Sequence, residues 1–169
     1  MMNMNSSVRD SKFSPLEGVV QLRIKPGADL LEGIREGIKK HGIKSGVFLS
    51  GLGALKKAVL RNLRVFPDKY PVAPENRLYF EVAKPLELLS VSGWIGEKPD
   101  GEPEIHAHFS ASYVEGDKVV GVGGHLMEGT IASIKVVIAI GVLPRGAIAT
   151  AFDEYSQSLD IDLSGNEAR

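Results

Sequence analysis

Three of the four histidines of this chain lie in one short segment, residues 103–129, which reads PEIHAHFSASYVEGDKVVGVGGHLMEG. His106 and His108 form an H-x-H pair, and His125 follows within the sequence G-G-H-L. Neutral imidazole nitrogens bind Zn²⁺ at about 2.0 to 2.1 Å, and three protein ligands leave the fourth tetrahedral position open. These residue types therefore point to an open zinc site, provided that the fold brings the three side chains together.

A hairpin inside the same segment would bring them together. Gly116 and Asp117 stand between two segments of alternating apolar and polar residues, which is typical of a two-residue hairpin loop. If the residues that flank this loop pair, His108 lies directly opposite His125 with Cβ atoms about 5 Å apart, and His106 lies diagonally at about 7 to 8 Å. The count predicts that three imidazoles converge on one face of the sheet.

Two alternatives to a metal site stay open on this evidence. A single β-bulge at Gly121, or at Gly123 and Gly124, would turn His125 to the other face, because side chains alternate between faces along a strand. The histidines would also fit the polar face of an exposed strand that binds nothing. Small residues on this face predict an open floor beside the histidines or a close approach by another chain.

Glu104 stands two residues before His106 and therefore shares the predicted face with the histidines. An open zinc site lowers the pKa of bound water toward about 7, and a nearby carboxylate can act as general base or orient the water. If the chain is an enzyme, the expected reaction is hydrolysis or hydration of a small polar substrate. No residue in the sequence identifies that substrate.

The elements that must position this face are mostly strands. Asp29 and Glu32 at capping-box spacing, followed by an apolar stripe that ends at Gly42, predict one amphipathic helix. The predicted strands are VVQLRIK, SGVFLS, AVLRNLRV, LYFEVA, LELLSVSGWI, the two arms of the hairpin, and the buried run IASIKVVIAIGVL. Between the second and third strands, SGLG favours a glycine bend over a nucleotide-binding loop, because the third glycine of that motif is missing. The pattern predicts a single domain made mostly of strands, with one helix.

Two further side chains receive no role in the predicted chemistry. His41 ends the predicted helix, where an imidazole interacts favourably with the terminal carbonyl groups. The lone Trp94 is predicted at a point where a strand meets a loop, as an aromatic at the rim of a site or in an interface.

The composition excludes several classes of protein. The chain has no cysteine, which rules out disulfides, thiolate zinc sites and cysteine nucleophiles and fits a cytoplasmic protein. Its net charge of −1 gives no general attraction to nucleic acids or anionic membranes. The longest apolar run is shorter than the roughly 20 residues of a membrane-spanning helix, and the first residues lack the apolar core of a signal peptide. We expect a disordered N-terminal tail at 1–14, a single domain at 15–163 and a C-terminal tail at 164–169.

Several of these segments together resemble the PPC domain, the plants-and-prokaryotes-conserved domain. The resemblance runs from about Val19 to Phe152 and rests on SGVFLSGLGALKKAVL, LELLSVSGWI, the H-x-H pair, GDKVVGVGGHL and GTIASIKVVIAI. It implies a compact α/β fold, a largely antiparallel sheet with one main helix and short helices packed on it, and assembly as a homotrimer.

The resemblance also has implications for the site. Some prokaryotic members carry zinc at the histidine cluster, which would make His106, His108 and His125 the metal ligands in this chain. Glu87, in LELLSVSG, matches a family position close to that cluster and joins Glu104 as a candidate base.

Plant domains of this kind follow AT-hook motifs in nuclear DNA-binding proteins, and stand-alone prokaryotic members are often named as DNA-binding by analogy. This chain lacks the Arg-Gly-Arg core of an AT-hook, and its closest stretch is LPRGAI around Arg145. The basic stretches IKKHGIKSG and LKKAVLRNLR are its only candidates for contacts with DNA. Three roles therefore stay open: a zinc-binding trimer with a small-molecule ligand, a DNA-associated regulator, and a pure assembly module.

Overall fold

The computed structural model describes residues 7–164, so that residues 1–6 and 165–169 of the two predicted tails lie outside the described residues. In chain order the elements are β1 (Gly18–Ile24), α1 (Leu30–His41), β2 (Gly46–Leu63), a 3-10 turn (Pro74–Asn76), β3 (Arg77–Val82), β4 (Leu86–Glu97), β5 (Pro103–Glu115), β6 (Lys118–Leu126), β7 (Ile131–Ala132), β8 (Val136–Val142), β9 (Ala149–Asp153) and β10 (Ser158–Asp162). The predicted fold class is confirmed: the architecture is mostly antiparallel sheet with one α-helix and a 3-10 turn.

The helix has the predicted ends. The Asp29 carboxylate accepts a hydrogen bond from the Glu32 backbone N–H at 3.0 Å, which satisfies one of the unpaired donors of the first turn. Gly42 adopts a left-handed conformation (φ 63°) and donates its backbone N–H to the carbonyls of Ile38 and Lys39. A glycine takes this conformation without steric cost, and the helix therefore stops here.

The buried stripe of α1 packs closely against β1. A Cβ atom at Gly37 would lie 2.4 Å from a methyl group of Leu22, and one at Gly33 would lie 2.9 Å from a methyl group of Ile24. The two helical glycines therefore allow the helix to lie closer to the strand than it could if these positions carried a side chain. The core beneath the helix consists of aliphatic side chains from most of the long strands.

The long strand β2 organises the sheet. The strand order is β1-β8-β2-β6-β5-β4-β9-β10, and β2 also pairs with β3, β7 and β4. Because β2 pairs with β4 as well as with β6, the strands β2, β6, β5 and β4 form a closed circuit around the core. One face of each of these strands therefore points into the core, and the other face points outward.

The predicted glycine bend is wrong. Residues 46–63 form one continuous strand, and the glycines of SGLG lie inside it, next to a β-bulge between Phe48 and Ser50. Gly53 (φ 136°) approaches the backbone of the neighbouring segment so closely that a Cβ atom would lie 2.5 Å from the Lys135 carbonyl oxygen. The glycines thus serve a close approach of two backbones within the sheet.

Two other parts of the chain differ from the prediction. The run from Ile131 to Leu143 is not one strand, because a turn at residues 133–135 separates β7 from β8 and puts Lys135 at a positive φ of 56°. The strands β9 and β10 were not predicted, since their sequence ATAFDEYSQSLDID has weak apolar alternation and no glycine or proline at the turn.

Candidate metal centre

The β5–β6 hairpin has the register that the sequence predicts. His108 pairs with His125, and the pairing continues without a break to Glu115 and Lys118 at the turn. Because no bulge interrupts it, the alternation of side chains is kept along both strands. The buried residues on either side of His108, Ala107 and Phe109, point into the core, and the histidines therefore point outward.

The three histidines converge on one point. The Nε2 atom of His108 lies 3.2 Å from Nε2 of His106 and 3.4 Å from Nδ1 of His125. One nitrogen of each ring lies within 4.8 Å of one nitrogen of each of the other two. His106 and His108 are nearly parallel, with ring planes 19° apart, whereas His125 meets both edge-on.

These distances fit a metal ion better than they fit hydrogen bonds alone. With zinc–nitrogen bonds of 2.0 to 2.1 Å, two ligand nitrogens of a tetrahedral site lie about 3.3 to 3.4 Å apart. Each imidazole nitrogen carries either one proton or one in-plane lone pair, so that His108 Nε2 cannot make a well-aligned hydrogen bond to both neighbours. A cation at the centre would accept one lone pair from each ring.

The environment keeps the three rings neutral. Burial lowers the pKa of His125 most, and together with the positive charge of Arg61 and of the other two histidines it brings this pKa to about 4. Partial desolvation also lowers the pKa values of His106 and His108, and the charge of Arg61 contributes at both. Only neutral imidazole binds a metal, and at pH 7 these ligands would have no proton to release.

Trp94 has a closer relation to the site than the sequence predicts. It lies inside β4, opposite His106 on β5, and its ring stacks on the imidazole with centroids 5.3 Å apart and planes 14° apart. The close approach of these strands depends on Gly93 (φ 133°), where a Cβ atom would lie 1.9 Å from the His106 carbonyl oxygen. The indole therefore fixes the orientation of one imidazole.

A cavity begins where the hairpin ends. Beyond His108 and His125 the strands separate, because β5 continues along β4 whereas β6 continues along β2. A cavity of about 920 Å³ lies in this fork and is bounded on one side by α1. His125, Glu104 and Arg61 line it, whereas His106 and His108 do not. The site thus communicates with the cavity through His125.

The two candidate bases lie at different distances from the histidines. Glu104 precedes His106 by two residues on the same face of β5 and lines the cavity together with His125. Glu87 is exposed and lies opposite Ser112, four residues along β5 from His108, which corresponds to about 13 Å. The fold of a single chain therefore does not bring Glu87 to the histidine cluster.

Sequence reasoning assigned Arg61 only to a basic stretch that could contact DNA. In the structure it is half-buried, pairs in register with His125, and lines the cavity. The alternation of AVLRNLRV indicates that Arg61 lies on the polar face of a strand. The sequence does not reveal that this strand, β2, is the neighbour of β6. Other basic residues are engaged elsewhere: Lys57 forms an ion pair with Glu81, and Lys44 donates to the Gly101 carbonyl.

Comparisons with solved structures show the same fold. A plant- and prokaryote-conserved (PPC) protein of Pyrococcus horikoshii is 27% identical, with a TM-score of 0.68 over 89% of this chain and 95% of that one. A protein of Archaeoglobus fulgidus described as metal-containing is 26% identical, with a TM-score of 0.69 over 88% of this chain and 95% of that one. A Bacteroides thetaiotaomicron protein described as a candidate DNA-binding protein is 17% identical, with a TM-score of 0.65 over 86% of this chain and 90% of that one, and this likeness shows the fold alone.

Within residues 7–164, no helix is long and apolar enough to cross a membrane.

The family of the chain follows from a match to a family model. The comparison with curated proteins gives no match. Residues 13–144 match the family described as the Plants and Prokaryotes Conserved (PCC) domain, which covers most of the sheet, α1 and all three clustered histidines. The chain therefore belongs to the Plants and Prokaryotes Conserved domain family.

Proposed function

We propose that this chain is a zinc-binding protein whose metal ligands are His106, His108 and His125, and whose fourth coordination position is open to a small molecule. The observation that carries this proposal is the position of His108 Nε2, 3.2 Å from His106 Nε2 and 3.4 Å from His125 Nδ1, which is the spacing of ligands in a tetrahedral zinc site. The metal-containing relative from Archaeoglobus fulgidus supports it independently.

We favour zinc because three imidazoles with an open tetrahedral position are a common zinc arrangement, and the donor set argues against calcium and magnesium. Imidazole suits zinc, copper, iron and nickel, whereas calcium and magnesium require oxygen ligands. The low pKa values of the three histidines support binding at neutral pH, since no proton competes for the nitrogens. Trp94 supports the geometry, because its stacking on His106 limits the rotation of that ring.

The reaction class that this site would support is hydrolysis of a small ester, amide or phosphate. Zinc with three protein ligands acts as a Lewis acid at its open position. The residue that would take a proton is Glu104, whose carboxylate lines the same cavity as His125. Glu87 would act there only if another subunit supplied it, because in the same chain it lies about 13 Å along β5 from His108.

We further propose that the chain forms a homotrimer, as the family resemblance implies. Large apolar side chains of the sheet and of the segment just before β1 remain half-exposed in the single chain: Leu16 (55%), Val19 (51%), Leu49 (51%), Leu52 (56%) and Leu89 (58%). Leu16 and Leu49 meet over Gly141, where a Cβ atom would lie 2.8 and 3.3 Å from their methyl groups. Exposed apolar side chains of this size support contact between subunits.

A thermal unfolding series tests the metal site. A ligand that binds only the folded state raises its stability, so that zinc in excess should raise the Tm of the metal-free wild type. The variant His125→Ala should lose this increase, whereas His41→Ala should keep it, because His41 lies at the end of α1 and outside the cluster. A wild-type Tm that zinc leaves unchanged would contradict the proposal.

A further inference from the structure

One row of side chains crosses four strands on the outward face of the sheet. Arg61 on β2 pairs in register with His125 on β6 and with Tyr79 on β3, and His125 pairs with His108 on β5. Paired residues place their side chains on the same face, and neighbouring strands lie about 4.8 Å apart. Arg61 is therefore the immediate neighbour of the histidine cluster on the side of β3.

Arg61 and Arg77 lack a carboxylate partner. Both are half-buried, and within residues 7–164 neither forms an ion pair with an acidic side chain. In contrast, Arg35 contacts Glu128 at 2.6 Å, and Arg145 contacts Glu97 at 2.5 Å. A half-buried charge without a counter-ion is costly, and such an arrangement is stabilised when an anion binds.

Tyr79 connects the two guanidinium groups. Tyr79 lies opposite Arg61 in the β2–β3 pairing, and the nearby guanidinium groups of Arg77 and Arg61 lower the pKa of its hydroxyl. Guanidinium groups present paired N–H donors that match the oxygens of a carboxylate or a phosphate, and a tyrosine hydroxyl can add a third donor. The three side chains thus offer several hydrogen-bond donors, and neither arginine forms an ion pair with a carboxylate.

The cavity extends this arrangement toward α1. Of its basic lining residues, Arg35 and Lys98 contact carboxylates and Lys44 contacts a carbonyl oxygen, whereas the half-buried Arg61 and the exposed Lys39 have no such acceptor within residues 7–164. Arg61 lies at the boundary between the cavity and the histidines, because it lines the former and pairs with His125. An anionic group held there would lie next to the open position of the proposed metal site.

We propose that Arg61, Arg77 and Tyr79 form an anion-binding site and that the ligand of the cavity is a small molecule with a carboxylate or phosphate group. This inference deepens the proposed function, since it names the ligand class of the same site, but the three side chains do not need the metal in order to bind an anion. Zinc at the histidines would strengthen the binding, because it adds positive charge beside Arg61.

A small molecule fits the cavity better than a nucleic acid does. Three glutamates, Glu102, Glu104 and Glu128, stand among the basic side chains that line the cavity, so that it lacks the uniformly positive surface that follows a polyphosphate backbone. The volume of about 920 Å³ is within the range of sites for small ligands and cofactors. The net charge of −1 gives the chain as a whole no attraction to DNA.

Isothermal titration calorimetry with inorganic phosphate and with malonate tests the inference, on both metal-free and zinc-loaded protein in a buffer without other oxyanions. We expect one anion per chain, binding that weakens as salt concentration rises, and a loss of affinity of about tenfold or more in Arg61→Gln. The matched control is Arg64→Gln, because Arg64 is an exposed arginine just beyond the same strand. Its affinity should stay within about twofold of the wild type. The preferred anion distinguishes a phosphate ligand from a carboxylate ligand.

The outcomes separate this inference from the metal site. Wild type that binds anions without binding zinc would contradict the proposed function and support the anion site. Folded wild type that binds neither anion, with or without zinc, would overturn the anion site, as would equal losses in Arg61→Gln and Arg64→Gln. An Arg61-dependent affinity for a short DNA duplex that exceeds the affinity for both small anions would overturn it in favour of a nucleic-acid surface. If Arg61→Gln does not fold, Arg77→Gln and Tyr79→Phe provide the same test.

Discussion

His108 and His125 face each other across the β5–β6 hairpin at the last pair before the two strands separate. Their ring nitrogens lie 3.4 Å apart, and the adjoining cavity begins at His125. The hairpin therefore fixes the distance between two ligands, while the fork beyond it gives access to them. This combination of a rigid ligand pair and an adjacent opening is what an open metal site requires.

Acidification should destabilise the metal-free protein. The pKa of His125 is about 4 in the folded chain and about 6.5 in the unfolded chain, so that the unfolded state binds the proton first as pH falls below 6.5. Stability contributed by the neutral ring is thus present at pH 7 and is lost between pH 6.5 and 4. We expect a loss of about 1 kcal/mol between pH 7 and 5 from this residue, because solvent screening at a half-exposed ring reduces the full effect.

Urea unfolding at several pH values measures this effect. The variant His125→Ala should show a flatter dependence of unfolding free energy on pH than the wild type, whereas His41→Ala should show the wild-type slope. Identical slopes in wild type and His125→Ala would mean that the ring is not held neutral by the fold.

The substitution Gly93→Ala should disturb both stability and the site. The φ of 133° is unfavourable for alanine, and its Cβ atom would lie 1.9 Å from the His106 carbonyl oxygen. We expect a loss of about 2 to 3 kcal/mol in the free energy of unfolding and weaker zinc binding. The control is Gly121→Ala, where no atom lies within 4 Å of the new methyl group, and where the change should stay within about 0.5 kcal/mol. Equal effects of the two substitutions would contradict the argument from close approach.

Zinc binding should change the fluorescence of Trp94, the only tryptophan in the chain. The indole stacks on His106, and ligation of that imidazole would alter the electron density of its stacking partner. A titration of metal-free protein should therefore give a saturable signal that ends at one zinc per chain. The variant His106→Ala should give no signal at this stoichiometry. A full zinc-dependent signal in that variant would mean that the metal binds elsewhere.

Disruption of the apolar outer face should dissociate the proposed trimer. In analytical ultracentrifugation we expect the wild type at about three times 18.2 kDa and Leu49→Asp near 18.2 kDa, since a buried charge without a partner strongly disfavours association. Phe66→Asp provides the control, because Phe66 is 73% exposed and lies in the loop after β2, outside the sheet. A monomeric wild type would contradict the proposed assembly.

The hairpin was predictable because all of its information is local. Glycine at residue 116 allows the tight turn, and strict alternation then determines which residues face each other, so that counting from the turn leads to His108 and His125. The ends of α1 were predictable for the same reason, since Asp29 and Gly42 act through hydrogen bonds within a few residues.

The parts that depend on long-range pairing were not predictable. The alternation of AVLRNLRV predicts a strand, but it does not show that Arg61 lies beside His125, which is 64 positions later in the chain. The continuity of β2 through SGLG depends on the close approach of Gly53 to the backbone near Lys135. Sequence spacing alone therefore predicts the three-histidine cluster but not the arginines or the cavity next to it.

The metal content of untagged protein tests the central claim most directly. Elemental mass spectrometry should find about one zinc per chain in the wild type and in His41→Ala, and almost none in His106→Ala or His125→Ala. Folding of the two site variants can be verified by circular dichroism, so that loss of metal is not confused with loss of structure. A folded wild type that holds no zinc after dialysis against it would contradict the proposal that the three histidines form a metal site.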